Sequence, residues 1–391
     1  MLMKKNVLFF LVLGLAPVLT FSQETFKMTH GPYLQAMGET GVNIVWTTNR
    51  KAISWVELAP DDSSHFYAQE RQKYFGAANG IKTESTVHNV RISGLRPATR
   101  YRYRVYAQEV SSHEAYVVKY GDIVAAKAFQ AKLPAFTTND KQAREVHFAV
   151  INDMHQRNEV IKGLLNQVNW KHNNLVFFNG DMQNNSLNEE QIFSAFMDTA
   201  DSIFADHIPM YYARGNHETR GQFASEFPRY FPTETGQLYY LLRVGPVCFV
   251  VLDTGEDKPD SDVEYMGIAD FDEYRTQQAA WLKEALKSPD YVNAPYKVVI
   301  GHIPPFGGWH GDKDVADKFV PLLNEAGAQI MLSGHLHRHV KKEADANTHF
   351  PVLVNSNAAI LKAKADASQL QIDMFDLNGK KIDSVTLKPS R

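Results

Sequence analysis

The sequence has almost no cysteine, because its 391 residues include a single one, Cys248. One thiol cannot close an intrachain disulfide, which excludes the stapled scaffolds typical of small secreted domains. Cys248 lies in the apolar, strand-like run 246–252, where a free thiol behaves as a small hydrophobe. Stability must therefore come from core packing and from any bound metal ions.

A strong charge of one sign is also missing. Lysine and arginine number 41 against 44 acidic residues, which gives a net charge of -3. This balance gives no electrostatic reason to expect nucleic acid or an anionic membrane surface as the main partner. The sequence has no internal repeats, and its length and 44% hydrophobic content allow a sizeable core, in two domains more readily than one.

Long hydrophobic runs are absent apart from residues 7–19, which follow Lys4 and Lys5. Small residues three and one positions before Gln23 mark a cleavage point, so we predict a signal peptide over residues 1–22. The run is shorter than the ~20 residues that a membrane-spanning helix needs. We therefore expect a secreted or periplasmic protein without membrane contact after cleavage. The oligomeric state is left open by the sequence.

Residues 24–138 have the pattern of short strands separated by polar turns. Apolar side chains alternate with polar ones, as in strands with one buried face. The clearest alternating sets are Val42, Ile44 and Trp46, then Val90 and Ile92, then Tyr101, Tyr103 and Val105. A turn at Pro97 leads into Tyr101 at a strand start, as in the tyrosine corner of β-sandwiches. This segment resembles a fibronectin type III domain, and we predict an all-β sandwich there.

A polar linker around residues 137–144 precedes a different pattern, in which strands alternate with helices. This alternation predicts α/β layers over residues 141–391. Strands are expected at 146–151, 175–178, 239–244, 248–252, 297–300 and 329–332, and helices at 160–168, 192–204, 274–286 and 314–326. The acidic loop 254–270 is too long for a plain connection and is a candidate rim over a site. Asn378-Gly379 predicts a hairpin near the carboxyl end.

Five polar blocks each follow one of the apolar, strand-like runs. They are Asp153-Met154-His155, Gly180-Asp181, Gly215-Asn216-His217-Glu218, Gly301-His302 and Gly334-His335-Leu336-His337. Strands of one sheet deliver such loops to a common rim. Carboxylate, amide and imidazole ligands together suit zinc, manganese or iron better than magnesium or calcium. Singly, Asp153 could cap a helix and His302 could sit in a turn, but five blocks at strand ends favour a metal site.

In their order, these blocks resemble the calcineurin-like metallophosphoesterases, with a layout most like the purple acid phosphatases and their bacterial relatives. The resemblance implies a four-layer sandwich of two β-sheets flanked by helices, over residues 141–391. It also implies a dinuclear centre in which Asp181 bridges two divalent metal ions. By the same resemblance, the ligands of the first ion are Asp153, His155, Asp181 and His337, and those of the second are Asp181, Asn216, His302 and His335.

The chemistry of such a pair agrees with these roles. Two metal ions bridged by a carboxylate clamp an in-line displacement and lower the pKa of bound water, which then attacks as hydroxide. Their residual positive charge favours a phosphate dianion. His217 lies beside a ligand without being one, which places it to protonate the leaving alkoxide or to bind the phosphoryl group.

The sequence thus predicts an exported phosphoric ester hydrolase acting on small molecules, most simply a phosphomonoesterase. One alternative is a phosphodiesterase acting on nucleotides or lipid head groups. Another is a non-catalytic binding or adhesion module with a vestigial metal site, although the complete ligand set speaks against decay. Native metals and the physiological substrate stay open.

The chain departs from the purple enzymes in one block. Their pattern places a tyrosine three residues after the bridging aspartate, where this chain has Asn184, and it has glycine where this chain has His155. An imidazole thus takes the place of the phenolate that binds ferric iron. This exchange favours divalent zinc, manganese or ferrous iron and predicts a colourless protein, unless Tyr211 or Tyr212 reaches the metal.

Several residues near the blocks have two readings. The flanking arginines, Arg157, Arg214 and Arg338, either contact phosphate or pair with acids. Glu218 either orients a neighbouring imidazole or caps a helix. His310 and His339 are further candidates to face the cleft.

Overall fold

The structure is a computed structural model that describes residues 24–126 and 132–390. The predicted signal peptide lies outside the described residues. Within them, no helix is long and apolar enough to cross a membrane.

The first part of the chain is built from antiparallel strands, as predicted. Its strands are β1 (Tyr33–Gln35), β2 (Gly41–Pro60), β3 (Lys73–Phe75), β4 (Ala77–Ala78), β5 (Ile81–Lys82), β6 (Ser85–Ser93), β7 (Arg100–Glu114), β8 (Val117–Ala125) and β9 (Ala135–Thr137). The long strand β2 joins the whole domain: its first half pairs with β1 and β6, and its second half with β3 and β7. The predicted tyrosine corner is present, since the backbone N–H of Arg96 donates to the Tyr101 hydroxyl at 3.1 Å.

Two mixed six-stranded sheets form the second part. The strands are β10 (Val146–Ile151), β11 (Leu175–Asn179), β12 (Met210–Ala213), β13 (Tyr240–Val244), β14 (Val247–Val251), β15 (Tyr296–Ile300), β16 (Ile330–Ser333), β17 (Val340–Lys342), β18 (Val352–Val354), β19 (Ala359–Ala365), β20 (Leu370–Asp376) and β21 (Lys381–Leu387). Sheet A has the order β12-β11-β10-β19-β20-β21, and sheet B has the order β13-β14-β15-β16-β18-β17. In each sheet the strands that lead to the polar blocks run parallel.

Helices cover the outer faces of both sheets. They are α1 (Asn158–Leu165), α2 (Glu189–Ile192), α3 (Asp198–Ala200), α4 (Phe227–Tyr230), α5 (Phe271–Ala285), α6 (Pro289–Val292), α7 (His310–Lys318) and α8 (Val320–Glu325). Along β10, Phe148 and Val150 pack between the sheets, whereas Ala149 and Ile151 pack under the helices. Because both faces are covered, the central strands are continuously apolar. The predicted four-layer α/β sandwich is confirmed.

Two helix predictions need correction in detail. The single helix expected over residues 314–326 is two helices, α7 and α8, because Pro321 lacks the N–H that would continue the first. The helix expected over residues 192–204 is present, but wider π turns at Phe193–Met197 and Asp201–Ala205 interrupt it. The predicted hairpin is confirmed, with β20 and β21 joined through Gly379, whose φ is +76°.

The core of the strand-rich domain continues into the space between the sheets. One cluster of buried side chains contains Trp46 and Phe136 of the first part together with Phe148 of the second. Tyrosines also cross the boundary: the Tyr103 hydroxyl donates to the carbonyl of Asp206 at 2.7 Å, one of several such bonds. The first part therefore supports the sheets that carry the polar blocks.

Candidate metal centre

All five polar blocks lie at one rim, beyond the carboxyl ends of parallel strands. Sheet A delivers three of them, after β10, β11 and β12, and sheet B delivers two, after β15 and β16. Because the two sheets face each other, their loops meet above the shared core. The structure thus brings together all seven residues that were predicted as metal ligands.

One group of donor atoms surrounds Asp153. The side chains of Asp153, His155, Asp181 and His337 offer atoms that all lie within 4.8 Å of one another. His337 Nε2 is 3.3 Å from Asp153 Oδ1 and 3.0 Å from His155 Nε2. This is the set that the resemblance assigns to the first ion.

A second group shares Asp181 with the first. Asp181, His302 and His335 also offer atoms within 4.8 Å of one another. His302 Nε2 lies 3.1 Å from Asp181 Oδ2, and His335 Nδ1 lies 3.1 Å from Asn216 Oδ1. Asp181 therefore occupies the position from which one carboxylate reaches both groups.

The nitrogen and oxygen atoms of these side chains converge on one small volume. His302 Nδ1 donates to the carbonyl of Asn179 at 2.7 Å, so in the neutral imidazole Nε2 carries the lone pair. That Nε2 is buried and has no hydrogen-bond partner among the described residues. His155 likewise places Nδ1 at 3.0 Å from Asn184 Oδ1 and turns Nε2 towards His337. Cations satisfy such an arrangement, and the residues present fit a pair of metal ions.

The charges within the site shift the pKa values of its own histidines. Burial disfavours the charged form of His302, yet Asp181 and Asp153 raise the pKa of its imidazole to about 10. Burial and the charge of His302 lower the pKa of His335 to about 4. In the metal-free protein, a protonated His302 therefore balances the negative charge of Asp181 and Asp153. A metal ion would take over that role, so metal binding should release the proton.

The backbone at these side chains is unusual. Asp153, His155, Asp181, His335 and His337 all have left-handed conformations, with φ of 55°, 47°, 54°, 70° and 56°. This region costs an L-residue roughly 1–2 kcal/mol. Hydrogen bonds between the loops hold it, for example from the N–H of His155 to the carbonyl of Asp181 at 3.0 Å.

Glycines before the ligands permit close approach of the loops. A Cβ on Gly215 would lie 2.3 Å from Asp181 Oδ1, and a Cβ on Gly180 would lie 2.4 Å from His302 Nδ1. Neither distance is tolerable for real atoms. Glycine at these two positions is therefore required by the packing of the neighbouring ligand loops.

Glu218 has a role that neither reading of the sequence included. Its buried carboxylate accepts hydrogen bonds from the N–H groups of Asp181, Met182 and Gly215, each at 2.9 Å, and from the Tyr212 hydroxyl at 3.0 Å. Burial and the charge of Asp181 raise the pKa of Glu218. The side chain fastens two ligand loops together. The sequence indicated this role only by placing an acidic residue within a ligand block, and in the structure that residue is fully buried.

A cleft of about 400 Å³ opens onto the centre. Its lining residues are Asp181, Asn216, His217, Arg220, Asp257, Lys258, Trp309, His335, Leu336 and His337. The acidic loop thus contributes to the rim, as predicted. His217 Nδ1 donates to the carbonyl of Asn184 at 2.7 Å, which leaves Nε2 3.9 Å from Asp181 Oδ2.

The predicted arginines do not line the cleft. Arg214 pairs with Asp253 at 2.8 Å, and Arg157 donates to the carbonyl of Asp153 at 2.8 Å. Arg338 is exposed. Arg220, which the sequence did not single out, lines the cleft. It pairs with the acidic loop, at 2.7 Å from Glu256 and 3.0 Å from Asp257.

Other candidates are occupied elsewhere. His310 pairs with Asp272 at 2.7 Å and His339 with Asp383 at 2.8 Å, and neither lines the cleft. The Tyr211 hydroxyl donates to the carbonyl of Met37 at 2.7 Å. Like Tyr212, whose hydroxyl donates to Glu218, it is not directed at the metal-ligand groups.

Comparison with known proteins gives consistent matches over most of the chain. Residues 146–339 match the calcineurin-like phosphoesterase family, and residues 31–119 match the purple acid phosphatase N-terminal domain. Purple acid phosphatase 18 of Arabidopsis thaliana is 21% identical over 335 residues, which are 82% of this chain and 67% of the relative. A purple acid phosphatase from yellow lupin (Lupinus luteus) seeds shares the fold with a TM-score of 0.65 and 14% identity, over 91% of this chain and 74% of that one.

Proposed function

We propose that this chain, in which a calcineurin-like phosphoesterase domain follows a purple acid phosphatase N-terminal domain, hydrolyses small-molecule phosphomonoesters at a dinuclear metal centre. The predicted family resemblance and the prediction of a phosphoesterase enzyme are confirmed by these matches. The observation that carries the finer proposal is the carboxylate of Asp181, which belongs to both groups of donor atoms. Export of the protein is part of the proposal, on the basis of residues 1–22.

The chain offers separate ligand sets for two ions. Asp153, His155, Asp181 and His337 would hold the first, and Asp181, Asn216, His302 and His335 the second. When bound, two divalent ions supply Lewis acidity and a water of lowered pKa. Zinc, manganese and ferrous iron suit these donors, since five of the seven side chains would bind through neutral imidazole or amide groups.

His217 is the proposed general acid. Its Nδ1–H is fixed on the carbonyl of Asn184, so Nε2 is the atom that exchanges a proton in the cleft. A protonated Nε2 donates to the ester oxygen as the bond to phosphorus breaks, which avoids release of a free alkoxide. The Asn184 carbonyl orients the ring throughout.

Preference for a monoester follows from charge. Two bound divalent ions would carry about four positive charges, of which Asp153, Asp181 and a hydroxide would offset about three, so a phosphate dianion would be favoured over a diester monoanion. The complete set of donor atoms supports catalysis over a vestigial site.

The test uses the full chain, assayed for metal content and for hydrolysis of 4-nitrophenyl phosphate and bis(4-nitrophenyl) phosphate. We expect about two metal equivalents and faster hydrolysis of the monoester. Faster hydrolysis of the diester would overturn the substrate assignment. Metal-loaded protein inactive on both would indicate a binding module.

A matched pair of variants tests the acid. His217→Asn should keep its metal and lose ~10²–10⁴ in kcat on alkyl phosphates, with a smaller loss on 4-nitrophenyl phosphate, whose leaving group needs no proton. His310→Asn, outside the cleft, should match the wild type. An equal loss on both kinds of substrate would exclude His217 as the acid.

A further inference from the structure

The cleft contains a tryptophan that the proposed chemistry does not use. Trp309 is 52% exposed, although it lines the same cleft as His335 and His337. The other four tryptophans, Trp46, Trp55, Trp170 and Trp281, are buried or pack against another aromatic ring. A large apolar ring left in water beside a polar centre is typical of a contact surface for a ligand.

Trp309 is held by its backbone. Its N–H donates to Asp312 Oδ2 at 3.1 Å as helix α7 begins. Gly307 and Gly308 precede it with φ of 153° and 109°, and a Cβ on Gly307 would lie 2.3 Å from Asp312 Oδ2. The chain therefore needs glycine to bring the ring to this position.

Asp312 also connects the ring to the metal-ligand residues. It is 2% exposed, and its Oδ1 lies 4.0 Å from His335 Nε2. The same carboxyl group thus holds the N–H of Trp309 and faces an imidazole of the second donor group. The backbone position of Trp309 relative to the metal-ligand residues is therefore fixed through Asp312.

The neighbouring wall is apolar on one side and charged on the other. Leu336 lines the cleft between two ligand histidines, and its Cδ2 would be 3.4 Å from a Cβ on Gly307. Arg220 and Lys258 line the cleft as well, but each forms an ion pair, Arg220 with Glu256 and Lys258 with Glu264. Trp309 and Leu336 are thus the apolar side chains that a leaving group would meet.

We infer that Trp309 binds the leaving group by ring stacking and that the preferred substrates are phosphomonoesters with a planar aromatic or heteroaromatic ring. The inference rests on the proposed phosphomonoesterase activity. Two kinds of molecule combine a phosphate monoester with such a ring. In aryl and benzyl phosphates the ring is close to the ester oxygen, whereas in nucleoside monophosphates the sugar separates the base from the ester oxygen.

The experiment compares kcat/KM of wild type, Trp309→Ala and Trp309→Phe on three monoesters. Benzyl phosphate carries a close ring, adenosine 5′-monophosphate a spaced ring, and glycerol 2-phosphate none. Trp309→Ala should lose about 5- to 100-fold, through KM, on at least one ring substrate, which identifies the source. Trp309→Phe should recover most of the loss, and glycerol 2-phosphate should change less than about twofold because the ring does not contact it.

A control and two outcomes separate the claims. Tyr116→Ala removes another exposed aromatic ring, 93% exposed and far from the cleft in sequence, and should match the wild type on all three substrates. Unchanged values on both ring substrates, or an equal loss on all three, would overturn the stacking role while leaving the phosphomonoesterase intact. Wild-type protein with bound metal that hydrolyses none of the three would overturn the proposed function itself.

Discussion

Replacing Glu218 by glutamine should loosen the metal-ligand loops without changing the size of the side chain. In the less costly orientation the amide oxygen still accepts from the N–H groups of Asp181 and Gly215, but as a neutral acceptor. The amide NH₂ then faces the N–H of Met182, whose bond at 2.9 Å is lost. A hydrogen bond to a charged group contributes ~1.5–3 kcal/mol, and the two weakened bonds add about half of that each. The expected total is roughly 3–6 kcal/mol.

The assay is urea unfolding of chelator-treated protein, so that metal binding does not mask the loss. The free energy of unfolding of Glu218→Gln should be roughly 3–6 kcal/mol lower than that of the wild type, and metal content and activity after reloading should be reduced. Glu284→Gln is the control, because that acid is exposed and makes only a surface pair with Lys287. A Glu218 variant as stable as the control, within ~0.5 kcal/mol, would show that the hydrogen bonds of the Glu218 carboxylate do not hold the ligand loops together.

Three further predictions follow from other parts of the structure. Asp181→Asn should lose both metal equivalents in a metal analysis, because one carboxylate serves both groups of donor atoms; retention of two would refute the shared role. His88 is buried, and burial lowers its pKa from 6.5 to about 4. Between pH 6.5 and pH 4 the unfolded chain binds a proton at His88 that the folded chain does not bind. The free energy of unfolding should therefore fall by roughly 3 kcal/mol as the pH drops from 6.5 to 4, and above pH 6.5 the stability should not depend on the protonation of His88. His88→Gln should flatten that part of the pH profile of chelator-treated protein, and an unchanged slope would contradict the assignment. Metal-loaded protein should show no strong visible band, since His155 and Asn184 stand where the purple enzymes have glycine and tyrosine; a reducible band would mean that a tyrosinate reaches the metal.

The strand ends were predictable because local sequence determines them. Continuous apolar runs such as 146–151 and 297–300 indicate strands covered on both faces, and a polar residue directly afterwards has to lie at a sheet edge. The order of the blocks then indicated the resemblance that the family matches confirm. Helix ends were less accurate, as at Pro321, because a proline is tolerated at the start of a second helix as well as after the end of a first.

The contacts around the ligands could not be read in the same way. Glu218 accepts from residues 36 and 37 positions away, and nothing near it in the chain indicates those partners. Arg220 lines the cleft because the acidic loop folds back onto it. Trp309 follows two glycines in the sequence, and this local pattern does not indicate that its ring lines the cleft. Each of these roles depends on how loops from different strands pack together, which periodicity does not describe.

The left-handed backbone at the metal-ligand positions has an evolutionary consequence. Glycine or asparagine in place of His335 or His337 would relieve the chain of left-handed conformations that histidine adopts at a cost in free energy. A duplicated copy released from selection for catalysis would therefore become more stable as it lost its ligands, and glycine should accumulate first at these positions. The ligand histidines with left-handed backbones are therefore the residues that substitutions favouring stability alone would replace first.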